Sequence, residues 1–194
     1  TLIRPDRALG LASPGDPGTM PRQGALAWAD DASLEFPSTS HLSIVDRHGN
    51  ALAMTTTIED SFGSRQMVRG FLLNNELTDF SLVPTEDGKP VANRVEAGKR
   101  PRSAMSPTIV YDRAGRVHAV VGTPGGSAII NYVARTLVAM LDWKLDPQEA
   151  ISLPHFGSRN FGFVEVERGT AAAALEPKLR ALGHDVRVID FTSG

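Results

Sequence analysis

From Thr39 onward apolar and polar residues alternate with a period of two, and after Gly122 the period lengthens to that of a helix. His41 to Val45 and Ala51 to Thr57 both alternate, joined by Asp46-Arg47-His48-Gly49-Asn50, which predicts a hairpin. Gly70-Phe71-Leu72-Leu73-Asn74-Asn75 predicts a short buried strand, and Pro84 to Gly98 a mobile polar loop close to whatever binds. Thr108 to Tyr111 and Val117 to Val121 flank Asp112-Arg113-Ala114-Gly115, a second hairpin. Ile130, Val133, Leu137, Val138 and Leu141 share one face of a helix from about Ser127 to Trp143. Asp146-Pro147 reads as an N-cap with proline at the first helical position, opening a short helix to Ser152. Phe163 to Glu167 alternates as a strand, Ala171 to Leu182 is helical up to Gly183, and Val186 to Ile189 closes the pattern as a strand. Residues 1 to 38 lack periodicity, and Ser13-Pro14-Gly15-Asp16-Pro17-Gly18 is a loop by its turn residues. Strands first and helices later predict an α+β class, with sheets covered by helices and no internal repeat.

Composition narrows this reading without redirecting it. A chain of 194 residues with 41% hydrophobic and 22% charged residues can bury one substantial core. A net charge of -2 gives no electrostatic reason for a nucleic-acid or anionic-membrane partner. No apolar run reaches the length of a membrane span. With no cysteine, disulfides, thiolate catalysis and Cys-metal sites are excluded. The five histidines (His41, His48, His118, His155 and His184) lack metal-ligand spacing, so no metal or other cofactor is expected. The chain opens on Thr1-Leu2-Ile3-Arg4 without methionine and stops at Thr192-Ser193-Gly194, so it reads as a fragment of a longer protein.

Four runs carry candidate chemistry. Pro37-Ser38-Thr39-Ser40-His41 places a hydroxyl at the start of a strand, and Thr55-Thr56-Thr57 returns beside it. A threonine freed at the chain's N-terminus has an α-amine of pKa near ~8 that can act as base to its own hydroxyl. One hydroxyl of the threonine cluster is expected to bond the Thr39 Oγ or amine. In Asn74-Asn75-Glu76-Leu77-Thr78-Asp79, two carboxylates three residues apart could face one pocket and hold a substrate ammonium. In Arg102-Ser103-Ala104-Met105-Ser106-Pro107, Ser103 could donate to a substrate carboxylate. Gly122-Thr123-Pro124-Gly125-Gly126-Ser127, between strand and helix, offers backbone N–H groups suited to an oxyanion. A phosphate loop is the rival there, but its Lys-Ser/Thr signature is missing. His41 reads as structural, Arg159 and Arg187 as surface or packing residues.

In this order and spacing the runs resemble the small subunit of the γ-glutamyltranspeptidases, from Thr39 to about Asp190. Residues 1–38 then resemble the end of the large subunit, and 39–194 the small-subunit catalytic region. The resemblance implies an N-terminal nucleophile (Ntn) hydrolase fold, an αββα sandwich of two stacked sheets. It implies self-cleavage between Ser38 and Thr39, then transfer of a γ-glutamyl group from glutathione or a related amide to water or an amino acid. Carried over by position, Thr39 is the nucleophile, Thr57 its supporting threonine, and Gly125 and Gly126 the oxyanion hole. Glu76 and Asp79 hold the substrate amino group and Ser103 its carboxylate. Two positions depart from the family pattern. Glu59 stands where an asparagine usually assists with the amino group, and Ala104 replaces the second serine of a Ser-Ser-Met-Ser-Pro run. These departures leave open an acylase of the same fold acting on glutaryl or cephalosporin-type amides, or an unprocessed relative without catalysis. The resemblance also implies a large-subunit partner from the same precursor, a periplasmic or secreted location, and an isolated fragment that is inactive.

Overall fold

The computed structural model describes residues 5–12, 29 and 38–191. The expected loop at Ser13 to Gly18 and most of residues 1 to 38 lie outside the described residues. Strand β1 (Thr39–Val45) pairs antiparallel with β2 (Ala51–Thr57), Thr39 opposite Thr57 and Val45 opposite Ala51. Asp46 closes the connection: its carboxylate accepts from the backbone N–H of His48 at 2.8 Å and of Asn50 at 2.9 Å, and from the Asn50 side chain at 2.7 Å. Those bonds, the Asn50 side chain's foremost, hold the Asp46 carboxyl below its ordinary range.

The Gly70 to Asn75 run differs from expectation. Only Phe71–Leu72 (β4) is extended, paired with Met67–Val68 (β3), and Phe71 is 74% exposed. Read as a buried strand, the run instead forms a two-residue hairpin arm in which Phe71 is exposed and Leu72 half-buried. The Pro84 to Gly98 segment is also more built than a polar loop suggests. It holds a small hairpin, β5 (Thr85–Glu86) with β6 (Lys89–Pro90), and bridges from Val91 to Ala29 and from Arg94 to Ser81. Val91 is fully buried beneath it.

Strands β7 (Thr108–Tyr111) and β8 (Val117–Val121) form the second predicted hairpin, and β8 packs near β1 and β2. The contact is close at Gly122, where an added Cβ would stand 2.1 Å from the His41 ring. Helix α1 (Ile129–Leu141) follows a 3₁₀ turn, Gly126–Ala128. Its buried side is Ile129, Tyr132, Val133, Arg135, Thr136 and Ala139, whereas Ile130, Val138 and Leu141 are exposed. The predicted apolar face is thus rotated: the helix carries apolar residues on two sides, and only one is covered among the described residues.

Helix α2 (Pro147–Ile151) has the predicted start, a capping box in which Asp146 accepts from the Glu149 N–H and Glu149 from the Asp146 N–H. Strand β9 (Phe156–Gly157) pairs antiparallel with β10 (Phe163–Glu167). Then a 3₁₀ turn and α3 (Glu176–Ala181) lead to β11 (Asp185–Ile189), parallel to β10. Val166, Ala172 and Val186 are buried between this sheet and helix, with Val164, Leu179 and Val188 around them. One face of the β1–β2 hairpin has no such cover among the described residues. Leu42 opposite Met54 and Ile44 opposite Leu52 are all exposed.

Candidate active site

Thr39 begins β1 at the mouth of an open cleft that it shares with Thr57, Glu59, Glu76, Asp79, Ser103, Ala104 and Gly126. The antiparallel register puts Thr57 directly across from Thr39. Its hydroxyl does not bond the Thr39 hydroxyl or amine as expected. It donates instead to the Ser38 carbonyl at 2.7 Å, the carbonyl of the peptide bond that enters Thr39. The same oxygen accepts from the Glu59 N–H at 2.9 Å, so the Thr57 side chain is fixed from both sides. Of the other two threonines, Thr55 lies 2.8 Å from His41 Nδ1, and the opposite ring nitrogen is 2.9 Å from Ser43 Oγ. Burial lowers the His41 pKa.

Three carboxylates converge on the cleft. Glu59 follows β2 with a positive φ of 74°, and it is 5% exposed. Its Oε2 accepts from the Asn75 side-chain amide and lies 3.5 Å from Thr78 Oγ1. The Asn75 Oδ1 returns a bond from the Asp60 N–H at 3.0 Å, tying the end of β2 to the 3₁₀ turn Glu76–Asp79. Glu76 Oε1 is buried without a hydrogen-bond partner. Burial, then the charges of Asp79 and Glu59, raise the Glu76 pKa. A ligand cation placed here would meet partly desolvated negative charge, where charge-assisted bonds are strong.

Across the cleft Ser103 Oγ accepts from the Met105 N–H at 3.2 Å, and Ala104 contributes only a methyl and its carbonyl, which takes the Ser106 hydroxyl at 2.9 Å. Gly126 lines the cleft at the turn before α1, while Gly125, which caps that turn, is not among the lining residues. Gly125 has φ 140° and Gly126 φ 55°, conformations that strain any residue with a Cβ. Arg159, read from the sequence as a surface or packing residue, braces this turn. Arg159 donates to Ser127 Oγ at 3.0 Å and pairs with Glu165 at 2.6 Å, which ties the turn to β10. Arg187 is a packing residue, its guanidinium 3.5 Å from the centre of the Phe163 ring. The bracing roles of Asn75, Thr78 and Arg159 are not visible in the sequence because each acts through a partner distant along the chain. Among the described residues no group of three or more His, Asp or Glu could hold a metal, and no helix is long and apolar enough to cross a membrane.

The Gamma-glutamyltranspeptidase family matches residues 11–194. The chain belongs to the γ-glutamyltranspeptidase family. The glutathione hydrolase proenzyme of Pseudomonas sp. (strain A14) is 40% identical over 161 residues, covering 79% of this chain and 26% of its own length. The corresponding proenzyme of Escherichia coli (strain K12) is 42% identical over 135 residues, 64% of this chain and 23% of its own. The chain therefore spans about a quarter of the length of the curated relatives it matches. A mutant γ-glutamyltranspeptidase of Helicobacter pylori superposes with a TM-score of 0.70 at 37% identity, over 79% of this chain and 86% of the solved one. The fold is the α+β arrangement of the Ntn hydrolases, present here in the part of the γ-glutamyltranspeptidase sandwich that carries Thr39.

Proposed function

We propose that this chain is the nucleophile-bearing part of a γ-glutamyltransferase or glutathione hydrolase that matures by cutting itself before Thr39. The observation that carries the reading is the Thr57 hydroxyl on the Ser38 carbonyl, at the mouth of a cleft with three carboxylates. In the precursor Thr39 Oγ attacks the Ser38 carbonyl carbon, and the Thr57 O–H stabilises the charge that develops on its oxygen. The C–N bond to Thr39 breaks, giving an ester. Water then hydrolyses the ester, leaving a Ser38 carboxylate, the Thr39 hydroxyl and a free amine.

The mature Thr39 attacks the γ-carbonyl of glutathione or another γ-glutamyl amide, its own amine accepting the hydroxyl proton and passing it to the leaving amine. Backbone N–H groups at Gly125 and Gly126 receive the oxyanion. Water or an amino acid resolves the γ-glutamyl-Thr39 ester. Glu76 and Asp79, with Glu59 behind them, hold the donor's ammonium, and Ser103 holds its carboxylate. The rest of the precursor, the large subunit, covers the exposed Leu42, Ile44, Leu52 and Met54 face.

Intact mass of the full-length protein and hydrolysis of L-γ-glutamyl-p-nitroanilide test this together. The expected result is two chains, the second starting at Thr39, and release of p-nitroaniline. Thr39→Ala should leave one uncut, inactive chain, and Thr39→Ser should still process. A cut and active Ala variant would overturn the mechanism. Turnover of glutaryl-p-nitroanilide alone would move the protein to the acylases of the same fold.

A further inference from the structure

The two ends of the proposed donor site, the acidic turn and the serine segment, are separated by more than twenty residues of chain, and one side chain joins them. Asn93 Nδ2 donates to the Asp79 backbone carbonyl at 2.6 Å, and Asn93 Oδ1 accepts from the Arg102 N–H at 3.0 Å. Arg102 immediately precedes Ser103. The Asn93 backbone carbonyl adds a third bond, from the Ser81 N–H at 2.9 Å. The amide's orientation is set by its partners, since a carbonyl can only accept and an N–H only donate. The amide is a planar group with donor and acceptor on one carbon, so it fixes the turn and the segment relative to each other. It is partly buried, and the turn it holds continues into buried Phe80 and Ser81.

We propose that Asn93 is a positioning residue that sets the spacing between Asp79 and Ser103, and thereby selects donors with an ammonium and a carboxylate on one α-carbon. The inference rests on the γ-glutamyl reading of the cleft. A donor lacking the ammonium, such as a glutaryl amide, has no use for that spacing. A γ-glutamyl donor needs both ends at once, and a loosened turn presents its charges at the wrong separation. Asn93 itself does not line the cleft, so its effect must pass through the two segments.

Asn93→Leu keeps the branching at Cγ but replaces both polar arms with methyl groups, whereas Asn93→Asp keeps the acceptor for Arg102 and loses the donor to Asp79. Both are made in the full-length precursor. Extent of self-cleavage is read first, then kcat and KM for L-γ-glutamyl- and glutaryl-p-nitroanilide. The expected result is normal cleavage, with KM for the γ-glutamyl donor raised about tenfold in the Leu variant, the scale of one lost hydrogen bond. The Asp variant should be raised too, kcat should hold in both, and the glutaryl KM should change less. Equal KM changes for the two donors, a kcat effect with KM unchanged, or unchanged constants would each overturn the proposal. Failure of both variants to self-cleave would make Asn93 a folding residue instead. Should the wild-type protein ignore the γ-glutamyl donor, the functional reading itself fails, and that outcome is visible before any variant is measured.

Discussion

Thr57→Val tests the link between register and self-cleavage. Valine keeps the β-branched shape that suits β2 and deletes only the hydroxyl. Two bonds go with it: the donor to the Ser38 carbonyl at 2.7 Å and the acceptor for the Glu59 N–H at 2.9 Å. The second loss leaves a backbone donor in a partly buried place, a stability cost of about 1–3 kcal/mol, inside a domain's usual margin of about 5–15. The first loss falls on the reaction. Removing one oxyanion donor costs about 3–4 kcal/mol in the cases that define the scale. Here the bond is already made to the neutral carbonyl, so only its strengthening in the transition state counts. That places the expected slowing near the lower end, about a hundredfold. Full-length precursor is purified uncut or newly expressed, and the fraction cleaved is followed by intact mass over time. Thr57→Ser should stay close to wild type. If the Val variant folds and cleaves as fast as wild type, the 2.7 Å contact has no part in catalysis of the cut.

Asp79→Ala should remove a charge-assisted partner of the donor ammonium, costing about 1.5–3 kcal/mol in γ-glutamyl binding with self-cleavage intact; loss of both would mark a folding residue. Ala104→Ser should restore a carboxylate donor and lower KM for γ-glutamyl donors about tenfold or more, with glutaryl donors changed less; equal shifts would mean the position does not touch substrate. Glu76 has its pKa raised on folding by burial, then by Asp79 and Glu59, so the folded state holds the proton more tightly than the unfolded chain. Its contribution to stability is therefore greatest below the ordinary glutamate pKa and is lost as pH rises through the raised one; Glu76→Gln should remove that component from the pH dependence in chemical denaturation, and an unchanged dependence would refute the assignment.

What the sequence discloses divides by distance along the chain. Both hairpins are legible because their signals are local: alternation, then Asp-x-x-Gly turn chemistry, which Asp46 and Asp112 carry out through their carboxylates. The Asp146 cap is legible for the same reason. The face of α1 is not, because the helix is apolar on two sides and periodicity cannot say which is covered here. The arm at Phe71 fails on a similar point: an apolar run looks buried until its neighbours are known. In the site, Thr39, Thr57, Glu59, Glu76, Asp79, Ser103, Ala104 and Gly126 share the cleft with Met105 and Ile129, whereas Gly125, paired with Gly126 in the sequence reading, is not among the lining residues. The side chains that hold those motifs in place, Asn75 on Glu59, Arg159 on Ser127 and Asn93 between Asp79 and Arg102, reach across the fold and leave no local mark.

Strand β1 serves two tasks on alternate residues. Thr39 and His41 turn toward the cleft and β8, while Leu42 and Ile44, with Leu52 and Met54 across the hairpin, form the uncovered apolar face. The strand thus behaves as a reading frame with a period of two. A single residue inserted after Thr39 would shift every later position of β1 to the opposite side, putting Ser40 in the place of His41 against Gly122, bringing Leu42 to the inner side and turning His41 outward. Insertion of two residues would restore the parity. Its tolerance for length changes should therefore alternate between odd and even, independent of which residues are inserted.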